Sequence, residues 1–299
     1  MNIFMTGATG YIGGTIARRL LDDGHRVRGL VRDTEKARRL ASFGVEPVTG
    51  SLDDAAMLMV EARRADAVVN TANSDHRGAV EALLEGLAGS DKPFIHTSGS
   101  SIVADDAHGD FASQKIYDED TPFEPVPGKQ SRVAIDRTTR DASRGGVRSI
   151  VVCPTMIYGN GLGLARDSAQ IPGLARKAKA TGVVHHVGKG LNIWSNVHVE
   201  DVADLYRLAL AGAPAGSFYF AENGEASYRD ICAAIARRLK LGEPQAWPFE
   251  DAAKELGENS AAYTFGSNSR VRARRARREL GWQPRHSSAT AWIEAELPL

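Results

Sequence analysis

The chain has 299 residues, 42% hydrophobic and 25% charged, which is the composition of a globular protein long enough to bury a large core. Its 37 Lys and Arg balance 37 Asp and Glu, so no net field argues for nucleic acid or a membrane surface as partner, and no apolar run is long enough to span a bilayer. Two cysteines, Cys153 and Cys232, are too few for a disulfide scaffold and read as small core residues.

The chain opens on a strand-like run, Asn2-Ile3-Phe4-Met5, without the basic start and longer apolar stretch of a secretion signal, so a cytoplasmic location is expected. The pattern predicts strands over 2–6, 26–31, 45–49, 67–71, 93–98 and 147–153, separated by helices over 12–23, 34–42, 54–63, 77–89 and 131–144. This alternation reads as successive βαβ units, hence an α/β fold of the Rossmann type: a doubly wound parallel sheet with helices on both faces. Ala67-Val68-Val69, between Asp66 and Asn70, suits a strand buried on both sides. Residues 99–130 break the rhythm with Ser, Gly, Asp and three prolines, Pro122, Pro125 and Pro127, and a loop this long inside a domain is usually functional. Further on come a helix near 165–181, strand-like runs at 183–187 and 195–199, a helix over 200–211, a strand at 217–220, a helix over 227–240 and a last helix over 270–280 stopped by Gly281 and Pro284. The strands near 195 and 217 are expected to return to the sheet. That gives a nucleotide domain over 1–155, rejoined by 191–221, and a smaller substrate lobe from 156–190 and 222–299.

The most informative stretch is Thr6-Gly7-Ala8-Thr9-Gly10-Tyr11-Ile12-Gly13, whose three glycines follow a strand and open a helix with Ile12, Ile16 and Leu20 on one face. Gly7 permits a tight turn, Gly10 a close approach of backbone to pyrophosphate, and Gly13 close packing of helix on strand. The helix N-terminus then faces the phosphates. Cofactor choice is read at the end of the second strand, Val31-Arg32-Asp33. The guanidinium of Arg32 suits a 2′-phosphate and favours NADP, with NAD as second choice. Asp33 is either a rival ribose acceptor or the N-cap of the next helix.

Beyond spacing, the residues resemble the extended branch of the short-chain dehydrogenase/reductases, the NAD-dependent epimerase/dehydratase family. The resemblance rests on TGATGYIG at the N-terminus, Gly50-Ser51-Leu52-Asp53-Asp54, Asn70-Thr71-Ala72, Thr97-Ser98-Gly99-Ser100, Cys153-Pro154-Thr155-Met156-Ile157-Tyr158-Gly159, Asn196-Val197-His198-Val199-Glu200-Asp201-Val202-Ala203 and Leu280-Gly281-Trp282-Gln283-Pro284. It spans essentially the whole chain, with Cys153 where the family usually has Arg. It implies that Gly7, Thr9, Gly10, Tyr11, Ile12, Gly13, Arg32, Asp53, Thr71, Ala72 and Pro154 hold the cofactor, with Asp53 against the adenine and Thr71-Ala72 bordering its ribose. It also implies a small hydroxyl- or carbonyl-bearing substrate and a homodimer through helices 77–89 and 131–144.

The family's usual catalytic pair, Tyr-x-x-x-Lys, has no match between 101 and 140. Family spacing points to Gly128 for the tyrosine and Arg132 for the lysine. Glycine cannot titrate, and arginine stays protonated at neutral pH, so another group must handle the proton that accompanies hydride transfer. The candidates are Ser98, Ser100, His108, Tyr117, Lys129 and Tyr158; the serines lack an evident base partner in the sequence. Ser98, Lys129 and Arg132 form the candidate catalytic set, with the nicotinamide near Ser98, Arg132 and Pro154. The principal reading is an NADP-dependent oxidoreductase or epimerase. The alternatives are a cofactor-binding sensor or scaffold protein without turnover and a non-redox enzyme on the same fold. His198 with Glu200 reads as a structural pair rather than a metal site, and His185 and His186 point to opposite faces of a strand. The run Arg270, Arg272, Arg274, Arg275, Arg277, Arg278 reads as a solvated helix surface, with contact to an anionic substrate as the alternative.

Overall fold

The computed structural model describes residues 1–298. Twelve strands are present in chain order among them: β1 (Asn2–Thr6), β2 (Arg26–Val31), β3 (Glu46–Thr49), β4 (Ala67–Asn70), β5 (Pro93–Thr97), β6 (Arg148–Pro154), β7 (Met156–Tyr158), β8 (His185–Val187), β9 (Ile193–His198), β10 (Ser217–Ala221), β11 (Glu225–Ser227) and β12 (Gln245–Trp247). Seven of them form one parallel sheet in the order β10-β6-β5-β4-β1-β2-β3. The order reverses between β1 and β4, and in such sheets ligands bind in the crevice beyond the carboxyl ends of the strands at that point. β4 and β5 are buried along their whole length, as their apolar runs require in a sheet covered on both faces.

The helices are α1 (Tyr11–Asp22), α2 (Thr34–Ser42), α3 (Ala55–Arg64), α4 (Arg77–Leu87), α5 (Gln130–Asp141), α6 (Gln170–Thr181), α7 (Val199–Gly212), α8 (Tyr228–Leu239), α9 (Phe249–Leu256), the short α10 (Glu258–Ser260), α11 (Arg274–Leu280) and α12 (Ala289–Glu296). Ile16 and Leu20 of α1 share one core with Val202, Leu205 and Tyr206 of α7. Leu58 of α3, Leu83 of α4 and Ile135 of α5 form a separate core with Phe4 and Phe94. The doubly wound layer is therefore α1/α7 on one face and α3/α4/α5 on the other.

A third core joins Met156, Trp194, Ile171 of α6, Ile231 of α8 and Ile293 of α12 around the small sheet β11-β9-β7. Here the chain departs from the expected path. β9, the strand anticipated near 195, pairs with β7 and β11 and takes no place in the central sheet. α7 and β10 do rejoin the central layer, β10 beside β6. The helix expected over 270–280 also starts later than the sequence suggests, and a further helix, α12, follows it. The backbone around 270–272 is already engaged with Tyr117, whose N–H donates to Arg270 O (2.9 Å) and whose carbonyl accepts from Arg272 N–H (2.8 Å), so α11 begins only at Arg274. Cys153 and Cys232 are free and fully buried, and burial raises both thiol pKa values, that of Cys232 to about 12. Among the described residues no helix is long and apolar enough to cross a membrane.

Candidate cofactor and active site

The turn from β1 into α1 is built by the absence of side chains. Gly7 has φ +75, and a Cβ on it would lie 2.7 Å from the carbonyl and hydroxyl of Thr71. A Cβ on Gly13 would lie 2.3 Å from both Gly7 O and Thr71 Oγ1, so strand, turn and helix fit only with glycine there. Gly10 N–H donates to Gly7 O at 2.9 Å, and no side chain caps the start of α1. The cradle has the shape and polarity of a pyrophosphate site: unobstructed backbone at the positive end of a helix. Thr71 donates its hydroxyl to Thr6 O (2.8 Å), so its side chain is the floor beneath the glycines rather than a ribose contact. Tyr11 donates to Gly159 O (2.8 Å) and Ile12 packs against the core, which leaves their backbones as what they offer a cofactor.

Beside this turn lies a cleft of about 400 Å³ whose wall includes Thr9, Arg32, Lys36, Asp53, Ala72 and His76. Asp33 is the N-cap of α2: its carboxylate accepts from Lys36 N–H (2.8 Å) and pairs with Lys36 Nζ (3.1 Å). Arg32 makes no ion pair among the described residues and is exposed at the cleft. Asp53 accepts from Ser51 (3.1 Å) and from His76 Nε2 (3.0 Å), and His76 Nδ1 accepts from Ala79 N–H (3.1 Å) as the N-cap of α4. That capping bond fixes the His76 tautomer with its proton on Nε2.

A buried polar chain crosses the carboxyl end of the sheet. Thr6 Oγ1 donates to Asn70 Oδ1 (2.5 Å), so Asn70 Nδ2 donates to His96 Nδ1 (3.0 Å). His96 Nε2 then faces Asp136 Oδ1 at 3.8 Å, and Ser98 Oγ donates to Asp136 Oδ2 at 2.7 Å. Burial lowers the His96 pKa to about 4 and raises that of Asp136 to about 7, against the opposing pull of the Ser98 hydrogen bond and of Arg132. A serine bound to a carboxylate can only accept from a further group. Once Asp136 is protonated it can itself donate to Ser98, which frees the hydroxyl to donate outward, so near neutral pH the pair is poised between both polarities. A second cleft of about 390 Å³, between α5, β10 and residues 118–123, has Asp136 in its wall.

At the mouth of the crevice Arg132 forms a two-nitrogen bridge to Asp75 (2.8 and 2.5 Å) and donates to Ser101 Oγ (3.3 Å). Lys129 Nζ lies 5.3 Å from the ring centroid of Tyr263, and burial lowers the Lys129 pKa. The other candidates are engaged elsewhere. Ser100 Oγ bonds Ser269 Oγ (2.8 Å), His108 stacks on Phe249 (3.9 Å between centroids), and the Tyr117 ring meets Phe123 edge-on. Tyr158 packs edge-on to His198, which caps α7 and stacks on His286 (3.8 Å). Pro154 ends β6 and is buried beside Cys153. The arginine run is a solvated face only in part: Arg274 and Arg278 are exposed, but Arg270 and Arg272 share Glu225, Arg274 pairs with Asp118, Arg275 with Asp120, Arg277 with Glu222 and Arg278 with Glu279. The surface reading fails for Arg270, Arg272, Arg275 and Arg277, because the acids that meet them come from distant loops and strands.

Lys36, Asp75, His76 and Tyr263 were not singled out from the sequence, and Asp136 carried no role there. Asp136 follows Arg132 by one helical turn, a spacing that places both on one face of α5. Asp75 and His76 follow β4 directly, where strand ends border a switch point. For Tyr263 no local signal exists.

Residues 3–219 match the NAD dependent epimerase/dehydratase family. The chain is 33% identical over 327 residues to an oxidase, ucsJ, of an Acremonium species, covering 94% of this chain and 92% of the relative. It is 26% identical over 320 residues to a 4-hydroxy-2-methyl-3-oxo-4-farnesyl-3,4-dihydroquinoline-1-oxide ketoreductase of Stigmatella aurantiaca, covering 95% and 92%. The dTDP-glucose 4,6-dehydratase DesIV of Streptomyces venezuelae, solved with NAD and TYD bound, superposes with a TM-score of 0.79 at 21% identity over 99% of this chain and 96% of that one.

Proposed function

The chain belongs to the NAD-dependent epimerase/dehydratase family, and from that premise we propose that it is an NADP(H)-dependent oxidoreductase that interconverts a carbonyl and a hydroxyl group on a small organic molecule. One observation carries the cofactor choice: Arg32 is free at the cleft beside Thr9, while Asp33 is consumed in capping α2. A cleft with Arg32 and Lys36 at one end suits a 2′-phosphate, and a carboxylate free to accept from a 2′-hydroxyl is missing from that end. The glycine turn holds the pyrophosphate, and Asp53 with His76 borders the adenine. The cofactor supplies or accepts hydride when bound. The chain's part is to aim it, with Arg132 anchored by Asp75 at the mouth of the crevice and the Ser98–Asp136 pair presenting a hydroxyl to the substrate oxygen. Redox chemistry agrees with the names of the oxidase and the ketoreductase among its relatives, and action on a carbonyl with that of the ketoreductase.

The test is fluorescence titration of the protein with NADPH and NADH, repeated with Arg32→Ala. NADPH should bind the more tightly, and the substitution should weaken NADPH by roughly 10- to 100-fold, as loss of a charge-assisted pair does, and leave NADH unchanged. Equal affinity for both cofactors, unmoved by the substitution, would overturn the NADP assignment.

A further inference from the structure

Gly128 lies in a short turn, Pro127–Lys129, that leads into α5. A Cβ built on it would lie 3.2 Å from Cε2 and 3.8 Å from Cζ of Tyr263, so the hydroxyl-bearing end of that ring rests where a side chain at 128 would begin. Gly128 carries no positive φ that would demand glycine, which leaves the ring of Tyr263 as the physical reason for its small size. Tyr263 belongs to the smaller lobe and sits in a single π-helical turn, Ala261–Phe265, a rare conformation that recurs at functional sites. Its ring is half-buried, its hydroxyl makes no hydrogen bond among the described residues, and it is not among the buried polar atoms left without a partner. Lys129 Nζ lies 5.3 Å from the ring centroid, and Arg132, on the next turn of α5, reaches the loop after β4 through Asp75. The ring thereby lies against the start of α5, one helical turn before Arg132, which borders the crevice.

We propose that Tyr263 is the catalytic acid and base of this crevice, carried by the smaller lobe into the space that Gly128 leaves open. The inference rests on the NADP(H)-dependent reading given above. In the reducing direction the carbonyl carbon gains the hydride given up by NADPH, forming a C–H bond as the C=O π bond breaks. The oxygen takes the proton of the Tyr263 hydroxyl, and the tyrosinate, beside Lys129, is reprotonated from water. The products are the alcohol and NADP⁺, and the oxidising direction runs the same steps in reverse.

The experiment uses the full chain, with benzil, an aromatic diketone, as carbonyl probe and fluorotyrosine at position 263 as a reporter independent of turnover. NADPH affinity is measured by fluorescence for the wild type and Tyr263→Phe. Affinity should be retained within about threefold, and benzil reduction should fall by about 100-fold, the usual scale of a lost general acid. The fluorine resonance at 263 should move on saturation with NADPH. In Tyr263→Ala, where the ring no longer fills the space, adding Gly128→Tyr should recover at least about a tenth of the lost rate. Turnover by Tyr263→Phe close to that of the wild type, or a fluorine signal unmoved by bound NADPH, overturns the proposal. A wild type that binds neither NADPH nor NADH defeats the cofactor reading itself, a failure distinct from the first.

Discussion

His96 Nε2 and Asp136 Oδ1 face each other at 3.8 Å inside the protein, and neither has a hydrogen-bond partner. Burial pushes the two groups toward their neutral forms, His96 down to about 4 and Asp136 up to about 7, so the pair is held apart from the ion pair it would make in water.

Because the Asp136 pKa is raised in the folded state, the native protein binds the extra proton between pH ~4 and ~7, and stability falls as pH rises through that window. Asp136→Asn removes this slope. Between pH 5 and 8 the variant should gain roughly 2–3 kcal/mol on the wild type, about two pH units of differential protonation, read from urea unfolding at each pH. Parallel curves for the two proteins would mean that Asp136 is ionised throughout.

Gly13→Ala places a methyl group 2.3 Å from Gly7 O and Thr71 Oγ1. The backbone has to move, at a cost of roughly 1–3 kcal/mol, and the phosphate cradle moves with it. Thermal unfolding should show the loss, and NADPH affinity should drop by at least about tenfold. A variant that binds NADPH normally would place the pyrophosphate elsewhere.

Asp75→Ala strips Arg132 of both its short bonds and leaves a mostly covered guanidinium, 17% exposed, without its anion. The expected cost is about 1–2 kcal/mol in denaturant unfolding, together with a several-fold loss in benzil turnover because Arg132 is no longer held at the mouth. Unchanged turnover would remove Arg132 from the positioning scheme.

Glu225 on β11 is shared by Arg270 (2.6 Å) and Arg272 (3.0 Å). Glu225→Ala should cost about 1 kcal/mol, as partly covered pairs do, while NADPH affinity stays constant, since neither arginine borders the cleft at the glycine turn. A large loss of cofactor affinity would assign this arginine cluster to binding.

The phosphate cradle was legible in the sequence because its chemistry is local: three glycines, the strand before them and the helix after them lie within a dozen consecutive positions. The parallel layer was legible for the same reason, since each strand and each helix carries its own periodicity. Ser98 was visible by resemblance, but its partner Asp136 lies 38 positions away and meets it only through the packing of α5 under β5. Tyr263 shows the limit most sharply. Its neighbour Gly128 is on another lobe, and nothing in Ala-Ala-Tyr-Thr-Phe announces a π-helical turn that lays the ring against it. The arginines of 270–278 misled for the converse reason: a basic run reads as a surface until the acids of residues 118–120 and 222–225 fold onto it.

Thr155 alone separates β6 of the large sheet from β7 of the small one, and its N–H (3.2 Å) and hydroxyl (3.0 Å) both donate to Ala221 O at the end of β10. The two sheets are thus riveted at this stud, and again where β9 runs into α7 with no residue between them. A clamshell opening, with each half swinging as a block, would shear that stud and the two strands it pins.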